Sequence, residues 1–222
     1  MNDVSFAHRL CKVPGTLLIA CLAVVAFTSE GLAGVLEYHL HQQNPFPPLS
    51  LLGCHLLHWS SEHLFWDLSM FVVLGIVCER WLPRAFYSTL LLSSLLIPLA
   101  VMWSAPDIDV YRGLSGLDTA IFSLLVSSLG LQAIHGHDRW QAVPPALLLL
   151  ALWTKIAFEF HSGQVLFVQQ VNFTPLPIAH AIGGLVGAAC AWWTTIRTAT
   201  HASLGDPLAN QIQRCLVDAK RG

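Results

Sequence analysis

Charge is what this chain has least of. Only 11% of its 222 residues are Asp, Glu, Lys or Arg, whereas 55% are hydrophobic. An ordinary soluble domain carries roughly a quarter charged residues. Thirteen acidic and eleven basic side chains cannot coat a globule of this size, so the composition argues against a soluble enzyme. It also argues against disorder, which requires low hydrophobicity and high net charge. A formal charge of −2 gives no basis for nucleic acid as a partner. Metal motifs are missing too. There is no Cys-x-x-Cys spacing and no His-Glu-x-x-His sequence, which disfavours a zinc protease of that kind. Cys11, Cys21, Cys54, Cys78, Cys190 and Cys215 lie scattered, mostly in or beside apolar runs. They read as small apolar fillers, with no metal site and no bound cofactor expected.

What the chain does have is long apolar runs. They cover residues 15–36, 62–78, 85–103, 115–134, 143–160 and 178–196. At about 20 apolar residues per span, this predicts an all-α membrane protein of six transmembrane helices. Residues 1–14 form a short N-terminal segment, residues 15–196 the membrane domain and residues 197–222 a polar tail. The first run has a basic start like a signal peptide. It lacks a clear small-residue cleavage site and is interrupted by Glu30, so a retained helix is expected.

The basic residues orient the runs. Arg9 and Lys12 precede the first. Arg80 and Arg84 follow the second, Arg139 follows the fourth, and Arg197, Arg214, Lys220 and Arg221 follow the sixth. Nine of the eleven basic residues thus fall on one side, against Arg112 in the opposite loops and Lys155 within the fifth run. Both termini are therefore expected in the cytoplasm. The second, fourth and sixth runs then start at the outer leaflet, and polar groups early in them share one depth.

Those groups are specific. His58, His63 and Asp67 lie at the second run, Gly113-Leu114-Ser115-Gly116 at the fourth and Ala179-His180 at the sixth. Ionisable groups inside membranes are costly and mark function. A serine hydroxyl needs an adjacent base to act as a nucleophile, and a neutral imidazole is the usual one. Ser115 and His180 form such a candidate pair. Ser115 also begins a helix, where unpaired backbone N–H groups and the helix dipole favour an oxyanion. Gly113 and Gly116 remove bulk beside the hydroxyl. Ala179, Gly183, Gly187 and Ala191 recur every four residues, as do Ser115, Thr119, Ser123 and Ser127. Such stripes let helices approach closely; taken alone, they fit plain helix packing.

Of the eleven histidines, His8, His39, His41, His135, His137, His161 and His201 fall in tails or loops and read as solvated. His55 is ambiguous. Lys155 and Glu159, four apart near the outer end of the fifth run, read as an ion pair, with substrate admission as the alternative. Two intramembrane histidines on different helices would also suit a haem-binding redox protein, but that reading leaves the Gly-x-Ser-Gly setting unexplained.

These residues together resemble the rhomboid family of intramembrane serine proteases. The matching pieces are His58-x4-His63-x3-Asp67, Gly113-Leu114-Ser115-Gly116 and Ala179-His180-Ala181-Ile182-Gly183-x3-Gly187, over about residues 15–200. The resemblance implies a six-helix bundle, Ser115 as nucleophile and His180 as general base. It further implies that His63 and the Ser115 N–H hold the oxyanion while His58 supports the loop. Asp67 stands where the family commonly has Asn, Thr119 where it often has Tyr, and the Trp-Arg pair of the first outer loop is missing. Asp67 would then either keep His63 protonated or itself be protonated by desolvation.

Trp66-Asp67 and the compact length look most like the rhombosortase subgroup. That likeness implies a bacterial inner-membrane enzyme with a periplasm-facing site. Its substrates would be exported proteins anchored by a C-terminal Gly-Gly, a transmembrane helix and a basic tail. The alternatives are a rhomboid protease with other single-span substrates, and a non-proteolytic rhomboid-like protein that binds transmembrane segments.

Overall fold

The computed structural model describes residues 13–39, 48–105, 108–136, 138–164 and 176–203. The expectations for Cys11, Cys215, His8, His41 and His137, and for the basic residues beyond 203, fall outside them. Helices α1 (Pro14–Thr28) and α2 (Glu30–Leu36) replace the single helix expected over 15–36. The break is at Ser29, which is extended with φ −118° and ψ 102°. Thr28 Oγ1 turns back to the Val24 and Val25 carbonyls at 3.1 Å each, closing the last turn of α1. At a 1.5 Å rise, the 15 residues of α1 reach about 22 Å, short of a hydrocarbon core of about 30 Å.

The Pro-rich stretch that follows is ordered in its described parts. β1 (Tyr38–His39) pairs antiparallel with β2 (Val110–Tyr111), placing Tyr38 opposite Tyr111. This ribbon is the one departure from all-α among the described residues. Between the strands come α3 (Pro48–Gly53) and a 3-10 turn, Cys54–Leu56.

Then follow α4 (Ser61–Trp81), α5 (Pro83–Ser104), α6 (Ser115–His135), α7 (Arg139–Ser162) and α8 (Pro177–Ser203). α4 starts where Ser60 Oγ accepts the His63 N–H at 3.1 Å, an N-cap. α7 starts four residues before the expected 143. Asp138 Oδ1 accepts the N–H groups of Trp140 and Gln141 at 3.2 Å each, pulling the expected polar turn into the helix. α8 runs to Ser203, seven residues into the expected tail.

Among the described residues, α4, α5, α6 and α7 are long and apolar enough to cross a membrane. α8 has the length, 27 residues, but its histidine, glycines, threonines and tryptophans make it less apolar. Val73, Leu91, Leu147 and Leu150 face outward, whereas Thr89, Ser93, Ser123 and Ser128 are buried. Apolar groups outside and hydroxyls inside suit a hydrocarbon surrounding. Phe71, Phe86, Ile97, Ile121 and Leu124 fill the interior.

Two carboxylates of α4 fix the directions of its neighbours. Glu79, near the C-terminal end of α4, accepts the N–H groups of Gly15 and Thr16 at 2.8 Å each and the Thr16 hydroxyl at 2.6 Å. Tyr87 donates to the same carboxylate. These are the orphan donors at the start of α1, so α1 runs antiparallel to α4. Asp67, near the other end of α4, does the same for α6, which runs parallel.

Candidate active site

The first ends of α4, α6 and α8 meet at one end of the bundle, as the run order predicts. The α6–α8 contact is close enough to exclude side chains. A Cβ on Gly183 would lie 2.1 Å from the Gly116 carbonyl oxygen, and one on Gly187 would lie 2.1 Å from the Ala120 carbonyl oxygen. Ser123 Oγ donates across the seam to the Gly184 carbonyl at 2.7 Å. The α6 side of this seam is therefore Gly116, Ala120 and Ser123; Ser123 belongs to the expected Ser115, Thr119, Ser123 and Ser127 row, whereas Gly116 and Ala120 lie one residue beyond its first two members. Backbone contact selects glycine and alanine. Ser115 and Thr119 sit beside the seam, where Thr119 Oγ1 donates to the Ser115 carbonyl at 2.9 Å.

Asp67 gathers the other predicted residues. Its Oδ2 accepts the N–H groups of Leu114 and Ser115, each at 3.1 Å. The same oxygen lies 3.2 Å from His63 Nε2 and 3.3 Å from His58 Nε2. His58 Nδ1 donates to the Leu56 carbonyl at 3.2 Å, and the His58 and His63 rings pack edge to face. Gly113 makes room for this cluster. Its φ is +125°, and a Cβ there would meet His63 Cε1 at 3.2 Å. An L side chain rarely adopts that φ.

One carboxylate oxygen thus sits where two main-chain N–H groups at a helix N-terminus converge with the His63 imidazole, the His58 ring lying beside them. That is the donor set of an oxyanion hole. The Ser115 N–H and His63, expected to serve a reacting oxyanion, are here turned to Asp67. Oδ2 acts as an acceptor, so a proton carried by the carboxyl would sit on Oδ1.

His180, buried near the start of α8, donates from Nδ1 to Glu159 Oε2 at 2.8 Å. In a neutral ring this fixes Nε2 as the lone-pair nitrogen. Among the described residues, no hydrogen bond joins the Ser115 hydroxyl to His180; such bonds often tighten only with substrate bound. Lys155 Nζ donates to Glu159 Oε1 at 2.6 Å, the expected i,i+4 pair. Its link to His180 is new. Sequence reasoning noticed Glu159 but missed its second partner; the signal was an acid within an apolar run, near its end. It also passed over Asp118, buried in the first turn of α6.

His55, ambiguous in the sequence, is buried. Its Nε2 lies 3.2 Å from the Ser94 carbonyl and Nδ1 lies 3.4 Å from that of Gly113. Gly113 N donates to the Cys54 carbonyl at 3.2 Å. Arg112, expected as the one basic residue of the outer loops, pairs with Glu37 and stacks over Trp59 with its guanidinium carbon 4.4 Å from the ring centroid. His39 lies 3.3 Å from Glu37 and is half-buried.

The fold and this cluster define a helical membrane protein with serine, histidine and carboxylate groups clustered at one end of its bundle. The rhomboid domain model matches residues 47–197. The chain belongs to the rhomboid family, a family of intramembrane serine peptidases. No curated protein matches it.

Proposed function

We propose that this chain is an intramembrane serine endopeptidase in which Ser115 is the nucleophile and His180 the general base. Ser115 Oγ attacks the scissile carbonyl while His180 Nε2 takes its proton and later returns it to the leaving amine. The Ser115 N–H and His63 then hold the oxyanion once Asp67 Oδ2 has been displaced, with His58 and Gly113 supporting the cluster. The observation that carries this reading is the convergence of donors on one carboxyl oxygen beside Ser115. Six spans, two cytoplasmic termini and a site near the outer face of a bacterial inner membrane complete the proposal, supported by nine of eleven basic residues on one side.

The substrates are exported proteins whose C-terminal anchor carries Gly-Gly, a transmembrane helix and a basic tail. A peptide bond within a helix is shielded until the helix unwinds. Glycine costs about 1 kcal/mol relative to alanine in a helix, so a Gly pair at the membrane edge eases that step by about 2 kcal/mol.

The test is a reporter with such an anchor, expressed with the wild type or with Ser115→Ala. Release by the wild type and none by the variant is expected. Equal processing by both would sink the protease reading. If replacing Gly-Gly by Val-Val leaves cleavage unchanged, the substrate class is wider than proposed.

A further inference from the structure

We infer that Glu159 is the positioning residue of His180, making the centre a Ser115–His180–Glu159 triad charge-tuned by Lys155. This deepens the serine-peptidase reading and rests on it. Glu159 is 1% exposed, in the last turn of α7. Gly163, in the left-handed region at φ 65°, ends that turn and donates its N–H to the Glu159 carbonyl at 3.0 Å. The carboxylate is thus built on a rigid, capped element.

A simple helix-surface ion pair would need only Lys155, and a surface pair is worth little. Here the acid is buried and divides its oxygens. Oε1 takes Lys155, and Oε2 takes the ring N–H of a histidine on another helix. A buried charge is tolerated only when paired. Lys155 therefore partly neutralises the acid, whose charge the His180 ring N–H also pairs, and the remaining oxygen holds the imidazole.

The consequences follow from chemistry. An acceptor on Nδ1–H fixes the tautomer in which Nε2 is basic, orients the ring and stabilises the imidazolium formed when Ser115 gives up its proton. The charged and titratable groups on the elements around His180 are Glu159 and Lys155 from α7 and Asp118 from α6. Asp67, with His58 and His63, reaches it through the Leu114–Ser115 turn. The outer half of α5, residues 94–104, carries none.

The experiment measures labelling of the purified full chain in detergent by a fluorophosphonate across pH. Labelling forms the Ser115 Oγ–P bond and expels fluoride as the hydroxyl proton passes to His180. This readout does not depend on the peptide substrate. Wild type labels and Ser115→Ala does not; failure of either would overturn the serine-peptidase reading, and the triad with it.

With that control holding, Glu159→Gln lowers the maximal labelling rate by about 10²- to 10⁴-fold with the probe's half-saturating concentration unchanged. It also moves the acid limb of the profile to lower pH, because the imidazolium has lost its counter-charge. Lys155→Met moves that limb the opposite way by leaving Glu159 less neutralised. Glu159→Asp recovers at least tenfold over Glu159→Gln and keeps the wild-type limb. If Glu159→Gln does not fold, the raised acid limb of Lys155→Met set against the wild-type limb of Glu159→Asp decides. Wild-type rates and an unmoved acid limb in the variants overturn the triad while leaving the Ser115–His180 pair standing.

Discussion

At the residue scale, Asp67 carries the most tension. Its Oδ2 caps α6 through the Leu114 and Ser115 N–H groups. Charge-assisted bonds to a helix N-terminus stabilise by about 1–2 kcal/mol. The same bonds hold donors that our reading assigns to the transition state, so the carboxylate competes with the substrate oxyanion. Asp67→Asn keeps an acceptor of the same shape and removes the charge. Two opposed effects are expected: melting in detergent falls, and reporter cleavage rises by roughly tenfold, or about 1.4 kcal/mol in the barrier. Cleavage that drops with the melting temperature would make Asp67 a supporting group and not a competitor. The sequence marked Asp67 as unusual but not its role, because the partners are backbone groups 47 and 48 residues away. Side-chain spacing carries no trace of them.

At the element scale, the sequence located helices well and their ends less well. The cores of α4, α5 and α6 follow the apolar runs directly, since hydrocarbon demands continuous apolar helices. The ends were set by local hydrogen bonds that hydropathy does not register, such as Ser60 at α4 and Asp138 at α7. Glu79 lies just past the apolar run 62–78, and hydropathy does not show that its partners belong to α1. The α6–α8 seam was legible in its α8 half, Gly183 and Gly187, and on α6 at Ser123, whereas the backbone contacts fall at Gly116 and Ala120, one residue past Ser115 and Thr119. Two adjacent glycines give a test of the seam. Gly183→Ala puts a methyl 2.1 Å from the Gly116 carbonyl oxygen, which belongs to backbone that cannot yield. Gly184→Ala meets the Trp153 ring at 3.5 Å and the Thr119 methyl at 3.8 Å, both ordinary van der Waals contacts. Overpacking costs about 1–3 kcal/mol or more, so Gly183→Ala is expected to lower the melting temperature and abolish labelling of Ser115. Gly184→Ala is expected to do neither. Equal behaviour of the two variants would show that the helices do not touch at this register.

At the scale of the whole molecule, charge scarcity pointed to a membrane surrounding, and basic-residue placement set an expected orientation. Neither showed how the segments between the helices are tied to the bundle. His55 is the centre of that tie, set between the Ser94 carbonyl of α5 and the Gly113 carbonyl that leads into Ser115. Burial disfavours its charged form and outweighs the two carbonyls, lowering its pKa from 6.5 to about 4. An unfolded His55 takes up a proton near pH 6.5, while the folded one stays neutral to about pH 4. Above pH 6.5 neither form is protonated and stability is complete. As pH falls from 6.5 toward 4 the unfolded chain binds a proton that the folded chain does not, and stability falls with it. Linkage sets the loss at about 2 kcal/mol by pH 5 and roughly 3 kcal/mol in all, with no further loss below pH 4 from this group. Thermal melting in detergent at pH 7.5 and pH 5 checks this. Wild type should lose more stability between the two conditions than His55→Gln, which keeps a donor for Ser94 but does not titrate. The variant should be the less stable of the two at pH 7.5, and the gap should narrow at pH 5. Parallel losses in both proteins would remove His55 as the group that links the outer segments to pH.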